Sequence, residues 1–174
     1  MLLLLACNAR SERKLERMDE RMAAQENMAL ARLLFELHNN RQSDLAWLEK
    51  CLAAFAADCE VVSAPSGTTL HGPEGYKRLL RFLLVESFPD IRIEVTNVFA
   101  TEDQAVVEGF FCGTNTGSRN LPSGALPPTG HPGAPRCCFV LQIRKGKITS
   151  LHAYYDLATQ LEQFGFNAAT AEET

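Results

Sequence analysis

The spacing of apolar residues changes at Phe88-Pro89-Asp90, and that change limits the fold more than any other feature of the chain. Upstream, apolar side chains recur at the helical interval of three to four residues; downstream they alternate. Proline disfavours a helical conformation in the residue before it, so the spacing predicts that helices end at this point and strands begin.

Three helices are expected upstream. Residues 11–25 are mostly charged, with Leu15, Met18 and Met22 forming a thin apolar stripe. The stripe widens over residues 26–38, where Leu30, Leu33, Leu34 and Leu37 make a core face before Asn39-Asn40 breaks the pattern. Ser43 and Asp44 supply N-cap oxygens for a second helix carrying Leu45, Leu48, Leu52 and Phe55, with Trp47 packed under it. A short β-branched run, residues 59–63, is closed by Pro65-Ser66-Gly67, and a third helix follows Gly72-Pro73-Glu74-Gly75.

Downstream, strands are expected from Ile91, Ile93, Val95 and Val98, from residues 105–114, and from a hairpin of residues 136–144 and 147–156 about Lys145-Gly146. Residues 116–135 are rich in Gly, Pro and Ser and form a long loop. A last helix, residues 157–164, stops at Gly165. The plan is α+β, with helices on one face of a curved, mainly antiparallel sheet. A sheet face left uncovered by its own helices needs a partner, so a homodimer is expected.

A chain of 174 residues, 46% of them hydrophobic, can bury one continuous core without metal or disulfides. Its net charge of −4 opposes nucleic-acid binding, which draws on a basic field. The six cysteines show no C-x-x-C pair and read as reduced, buried thiols, in keeping with a cytoplasmic protein. Adjacent Cys137 and Cys138 point to opposite strand faces and cannot easily share an ion, so no metal site is expected. The opening Leu2-Leu3-Leu4-Leu5-Ala6-Cys7 is short for a signal sequence and lacks a preceding basic residue. No uncharged apolar run approaches the ~20 residues of a membrane helix, and no membrane partner is expected.

Four stretches, in order, carry a resemblance: Phe88-Pro89-Asp90; Gly113-Thr114-Asn115-Thr116-Gly117; Pro127-Pro128-Thr129-Gly130; and Gly146-Lys147-Ile148 through Tyr155-Asp156 to Gln163-Phe164-Gly165. Together they make the chain resemble the SnoaL-like polyketide and ester cyclases. The resemblance implies a cone-shaped α+β barrel of the kind shared with nuclear transport factor 2 and ketosteroid isomerase. It covers residues 25–167, leaving residues 1–24 as a helical extension and residues 168–174 as a disordered tail.

The resemblance also implies a cofactor-free aldol-type cyclisation of a small apolar carbonyl compound, with Asp156 as acid and base. A desolvated carboxyl group would have a raised pKa, fitting it to move protons at a carbon beside a carbonyl. Strict strand alternation places Asp156 on one face with Tyr154, His152, Ser150 and Ile148. Tyr154 and His152 are therefore candidate pocket residues, with Phe88, Gln142 and Asn115 as further candidate substrate contacts. Gln142 falls near a strand position that is histidine in some family members, and Asn115 stands where many have histidine. Two readings follow, the cyclase (or an isomerase or hydrolase with the same pocket) and a non-catalytic ligand-binding or dimerisation module. Asp156 has a competing role as N-cap of the helix that follows it.

Overall fold

A computed structural model describes residues 2–121 and 124–166, with side chains described for residues 12–118 and 124–166. The expected tail, residues 168–174, lies outside this range, as does the side chain of Cys7. The two helical patterns at the start form one continuous helix, α1 (Leu2–Asn39), with no break near residue 24. Its core face is Ala31, Leu34, Phe35, Leu37 and His38, all buried. Helix α2 (Trp47–Ala53) starts later than expected; Asp44 Oδ1 accepts from the Ala46 amide at 3.0 Å instead of opening the helix itself.

Strand β1 (Phe55–Ser63) is followed by a 3-10 turn at Ala64–Ser66 and by β2 (Thr68–His71), a strand the sequence pattern did not reveal. Helix α3 (Gly72–Arg81) runs on into a π-helical segment, Phe82–Ser87, before Pro89 ends it. The remaining strands are β3 (Arg92–Ala100), β4 (Gln104–Thr114), the short β5 (Arg119–Leu121), β6 (Gly124–Leu126) and β7 (Pro132–Gly133), then β8 (Arg136–Arg144) and β9 (Lys147–Tyr155). Helix α4 (Leu157–Gln163) closes the described chain.

The main sheet runs β2-β1-β9-β8-β4-β3, curved and unclosed, with β7 added beside β4. All its pairs are antiparallel except β1 with β9. Helices α1 and α3 cover the concave face, burying Val61, Val107, Leu141, Leu151 and Phe35 in one cluster. A second, smaller cluster of Phe88, Ile91, Phe164 and Phe166 holds α4 against the end of the π segment. Cys51, Cys59 and Cys137 are buried free thiols, and burial pushes the Cys51 and Cys137 thiols up to about 12. They are inert packing groups at neutral pH.

The long loop is not structureless. Asn115, wholly buried, donates to the Ser87 and Gly117 carbonyls at 3.4 and 2.9 Å and accepts from the Thr129 amide at 2.9 Å. Gly117 passes so close to the π segment that a Cβ there would stand 1.5 Å from the Glu86 carbonyl oxygen. The loop is thereby fixed to the end of the helix that borders the cavity described next.

Candidate ligand cavity

A cavity of about 420 Å³ lies between the concave sheet face and the helices. Its wall is mostly apolar: Phe35, Val61, Leu80, Phe88, Ile93, Phe111, Phe139, Leu151 and Ala153 all contribute. The volume falls in the range that holds a small organic molecule. The π segment adds Phe82, Leu83 and Leu84 to one side. An i→i+5 turn widens the helix and re-aims these side chains, a device common at functional sites.

Two hydrogen-bonded polar groupings interrupt the apolar wall, and the exposed Arg78 and Arg92 also contribute to it. In the first, Tyr155 Oη and Ser63 Oγ share a hydrogen bond of 3.0 Å, and Ser66 Oγ lies 2.8 Å from Ser63 Oγ and 3.0 Å from Thr68 Oγ1. Four hydroxyls carry four hydrogens; the three links between them use three, and the Ser63 carbonyl, 3.4 Å from Ser66 Oγ, is a longer alternative acceptor. One donor and several lone pairs remain for a guest. In the second, His38 Nε2 and Tyr76 Oη are 2.8 Å apart, both buried, with the Phe35 and Trp47 rings packed edge-on to the imidazole. Burial, assisted by the Arg41 guanidinium, holds the His38 pKa down at about 3, so the ring is neutral at pH 7. Burial likewise holds the Tyr76 hydroxyl well above its usual value.

No aspartate or glutamate lines the cavity among the described residues. Asp156 is exposed, and its carboxylate caps α4: Oδ1 accepts from the Ala158 amide at 3.0 Å and Oδ2 from Thr159 Oγ1 at 2.5 Å. These bonds, the Thr159 hydroxyl first, lower its pKa below the usual carboxylate value. A group so bound and hydrated is stabilised as the ion, the reverse of the desolvated acid expected at this position.

The cause is an extra residue in β9. Ile143 pairs with Ile148, but Gln142 pairs with Ser150, so Thr149 is a bulge. A bulge of one residue exchanges the inward and outward faces of everything beyond it. Ile148 is buried, yet Leu151, Ala153 and Tyr155 face the cavity, while Tyr154 and Asp156 are exposed on the opposite face. His152 lies on that outer face too, its Nδ1 3.4 Å from Tyr154 Oη. Gln142 alternates with the buried Leu141 and Ile143 and also points outward. Asn115 pins the loop and does not line the cavity. Of the candidate site residues only Phe88 is in the wall, stacked on Phe164 at 4.7 Å between ring centroids. Tyr154 and Asp156 instead border an open pocket on the outer face with Glu108 and Arg136, His152 lies beside Tyr154, and Asn115 stands apart, so none of these four lines the apolar cavity.

The residues that do meet there are Tyr155, Ser63, His38 and Tyr76, which the alternation argument had assigned to packing or left aside. A signal for Tyr155 was present, because Leu151, Ala153, Tyr155 and Leu157 form the more apolar of the two alternating sets. Among the described residues there is no cluster of His, Cys, Asp and Glu able to hold a metal ion. Nor is any helix there long and apolar enough to cross a membrane.

A curved sheet wrapped about helices, with one apolar chamber on its concave side, defines the α+β class of nuclear transport factor 2 and ketosteroid isomerase. The chain belongs to the SnoaL-like polyketide cyclase family, whose pattern matches residues 30–164. No curated protein matches it in sequence. Among solved structures it is similar to a SnoaL-like polyketide cyclase, so described, from Jannaschia sp. CCS1, at 17% identity and a TM-score of 0.70, covering 83% of this chain and 94% of that one. It is also similar to a protein of ketosteroid isomerase-like fold from Catenulispora acidiphila, solved with trimethylamine (26% identity, TM-score 0.55, 70% and 85% covered). A third similar structure is an LEH-like epoxide hydrolase of M. tuberculosis (12% identity, TM-score 0.61, 85% and 96% covered).

Proposed function

We propose that this family member binds an uncharged, mostly apolar organic molecule bearing a carbonyl or hydroxyl oxygen, and that it does so without using Asp156. The observation that carries this reading is the composition of the cavity wall: its buried part is apolar side chains, neutral hydroxyls and a neutral imidazole, with no carboxylate among the described residues, and its cations, Arg78 and Arg92, are exposed. A cation would lose its hydration there with no opposite charge to replace it, and an anion could meet Arg78 and Arg92 only where these are exposed to water, which weakens the pairing. A ketone oxygen, in contrast, finds the spare donor of the Tyr155–Ser63–Ser66–Thr68 chain.

Calorimetric titration with 9-fluorenone and with fluorene, its hydrocarbon counterpart, tests this. The ketone is expected to bind about tenfold tighter, the worth of roughly one hydrogen bond. Tyr155→Phe removes that preference, and Asp156→Asn leaves both affinities within twofold. The reading fails if neither probe binds, or if the preference survives Tyr155→Phe.

One observation favours chemistry in the same chamber. His38 and Tyr76 form a buried neutral pair in the wall; in the tautomer with the proton on Nε2 the imidazole donates to Tyr76 Oη, which leaves the phenol hydrogen for an oxygen on which negative charge develops. An isomerase or hydrolase working there depends on Tyr76, and Tyr76→Phe lowers its kcat by about 10²-fold or more while Asp156→Asn does not. An identified substrate whose turnover stops in Asp156→Asn but not in Tyr76→Phe restores the aspartate to the mechanism.

A further inference from the structure

Helix α1 presents an apolar stripe to solvent. Leu15, Met18 and Met22 are 58%, 50% and 55% exposed, and Ala29 and Leu33 continue the exposed line toward the domain. This line lies on the side away from the sheet, because the domain-facing positions are Asn27, Ala31 and Leu34, all buried. Asn27 marks where the domain begins to hold the helix, donating to the Thr101 and Glu102 carbonyls at 3.0 and 2.9 Å. The residues before it have little of the chain's own core to rest on.

The local charges do not support a lone helix. Glu12, Glu16 and Glu20 form one column at i,i+4 spacing, and Arg13, Arg17 and Arg21 form another. Like charges at that spacing destabilise a helix. The same charges acquire a purpose when Leu15 and Met22 are taken as a positions of a heptad and Met18 and Gln25 as d positions. The e positions are then Glu12, Asp19 and Glu26, all acidic, and the g positions include Lys14 and Arg21, both basic.

In a parallel two-stranded coiled coil, each g residue faces the e residue five positions further along its partner. Lys14 then meets Asp19 of a second copy, and Arg21 meets Glu26. An antiparallel pair would set acid against acid and base against base. We propose that residues 12–29 of α1 form a parallel, in-register coiled coil with the same segment of a second copy of this chain. The interface lies outside the cavity and outside the family match at residues 30–164.

The test is the assembly state of the full-length chain, by sedimentation across a range of concentrations. Wild type is expected to self-associate, and Leu15→Glu/Met22→Glu to raise the dissociation constant by at least about tenfold, with the domain still folded by circular dichroism. Lys14→Glu/Arg21→Glu and Asp19→Lys/Glu26→Lys each weaken self-association alone and form a mixed dimer together. Gln25→Cys gives a disulfide-linked dimer under oxidation that wild type, with its native thiols, does not. A monomeric wild type overturns the proposal. So does association that Leu15→Glu/Met22→Glu leaves unchanged, which would place the contact on the sheet. Failure of Gln25→Cys to cross-link overturns the parallel register.

Discussion

Among the groups lining the cavity, His38 is the one whose protonation is most strongly opposed by burial. His38 is neutral when folded and, in the unfolded chain, has its ordinary pKa of about 6.5. The unfolded state therefore binds the extra proton first as pH falls. The stabilisation from keeping His38 unprotonated is complete above about pH 6.5 and drains away as pH drops toward 3. The whole effect is on the order of 5 kcal/mol. Urea unfolding midpoints should fall across that window, and His38→Gln, which keeps a hydrogen-bonding group for Tyr76, should flatten the part of the slope due to this residue. If His38→Gln and wild type lose stability in parallel between pH 6.5 and 4, the imidazole is not the group being protonated. Asp156 has the opposite relation to its surroundings: its ionised form is the one held, by the amide of Ala158 and the hydroxyl of Thr159. Asp156→Asn keeps an N-capping side chain and should fold normally, whereas Asp156→Ala removes the cap and should lower Tm.

Among the elements, the π segment and the loop docked to it are the pieces most directly tied to the chamber. Asn115 satisfies three backbone partners from a fully buried position, so Asn115→Ala should cost about 2–4 kcal/mol through groups left unpaired. Gly117→Ala should do comparable damage by a different route, since its methyl would collide with the Glu86 backbone. Proteolysis within residues 118–130 reports both: each variant should be cut there faster than wild type, and equal cutting rates would show that the loop is held by other contacts. The sequence announces this part of the molecule well. Pro89 marks the change from helix to strand, and the Gly113-to-Gly117 and Pro127-to-Gly130 stretches mark the loop ends that Asn115 ties together. Strand β9 was less legible. Its alternation is plain from Leu151 onward, but nothing in Lys147-Ile148-Thr149-Ser150 reveals a bulge, and one unpaired residue was enough to put Asp156 on the wrong side of the sheet. Strand β2 was hidden for a similar reason, because Thr68-Thr69-Leu70-His71 is short, largely exposed and made a strand by pairing with β1.

At the scale of the whole molecule, the shape of the chamber matters more than any one group in it. The family fold supports unrelated chemistries because the sheet and helices are held by their own packing, leaving the interior free to vary. Here Val107, Leu141 and Ile148 complete the core without help from a guest, and each is buried to within 0% exposure. Emptying or filling the chamber should therefore change binding much more than stability. Ala153, on the inner face of β9, is the position at which to separate the two. Ala153→Trp would place an indole into about 420 Å³ of open space, where there is room for it without displacing neighbours. Such a substitution in a close-packed core typically costs 1–3 kcal/mol, whereas in an open chamber the cost should stay below about 1 kcal/mol. Urea titration should find the variant nearly as stable as wild type, and calorimetry should find that it no longer binds 9-fluorenone. A variant destabilised by several kcal/mol would mean that the chamber is closed by packing in solution. A stable variant that still binds the ketone would move the guest elsewhere on the protein.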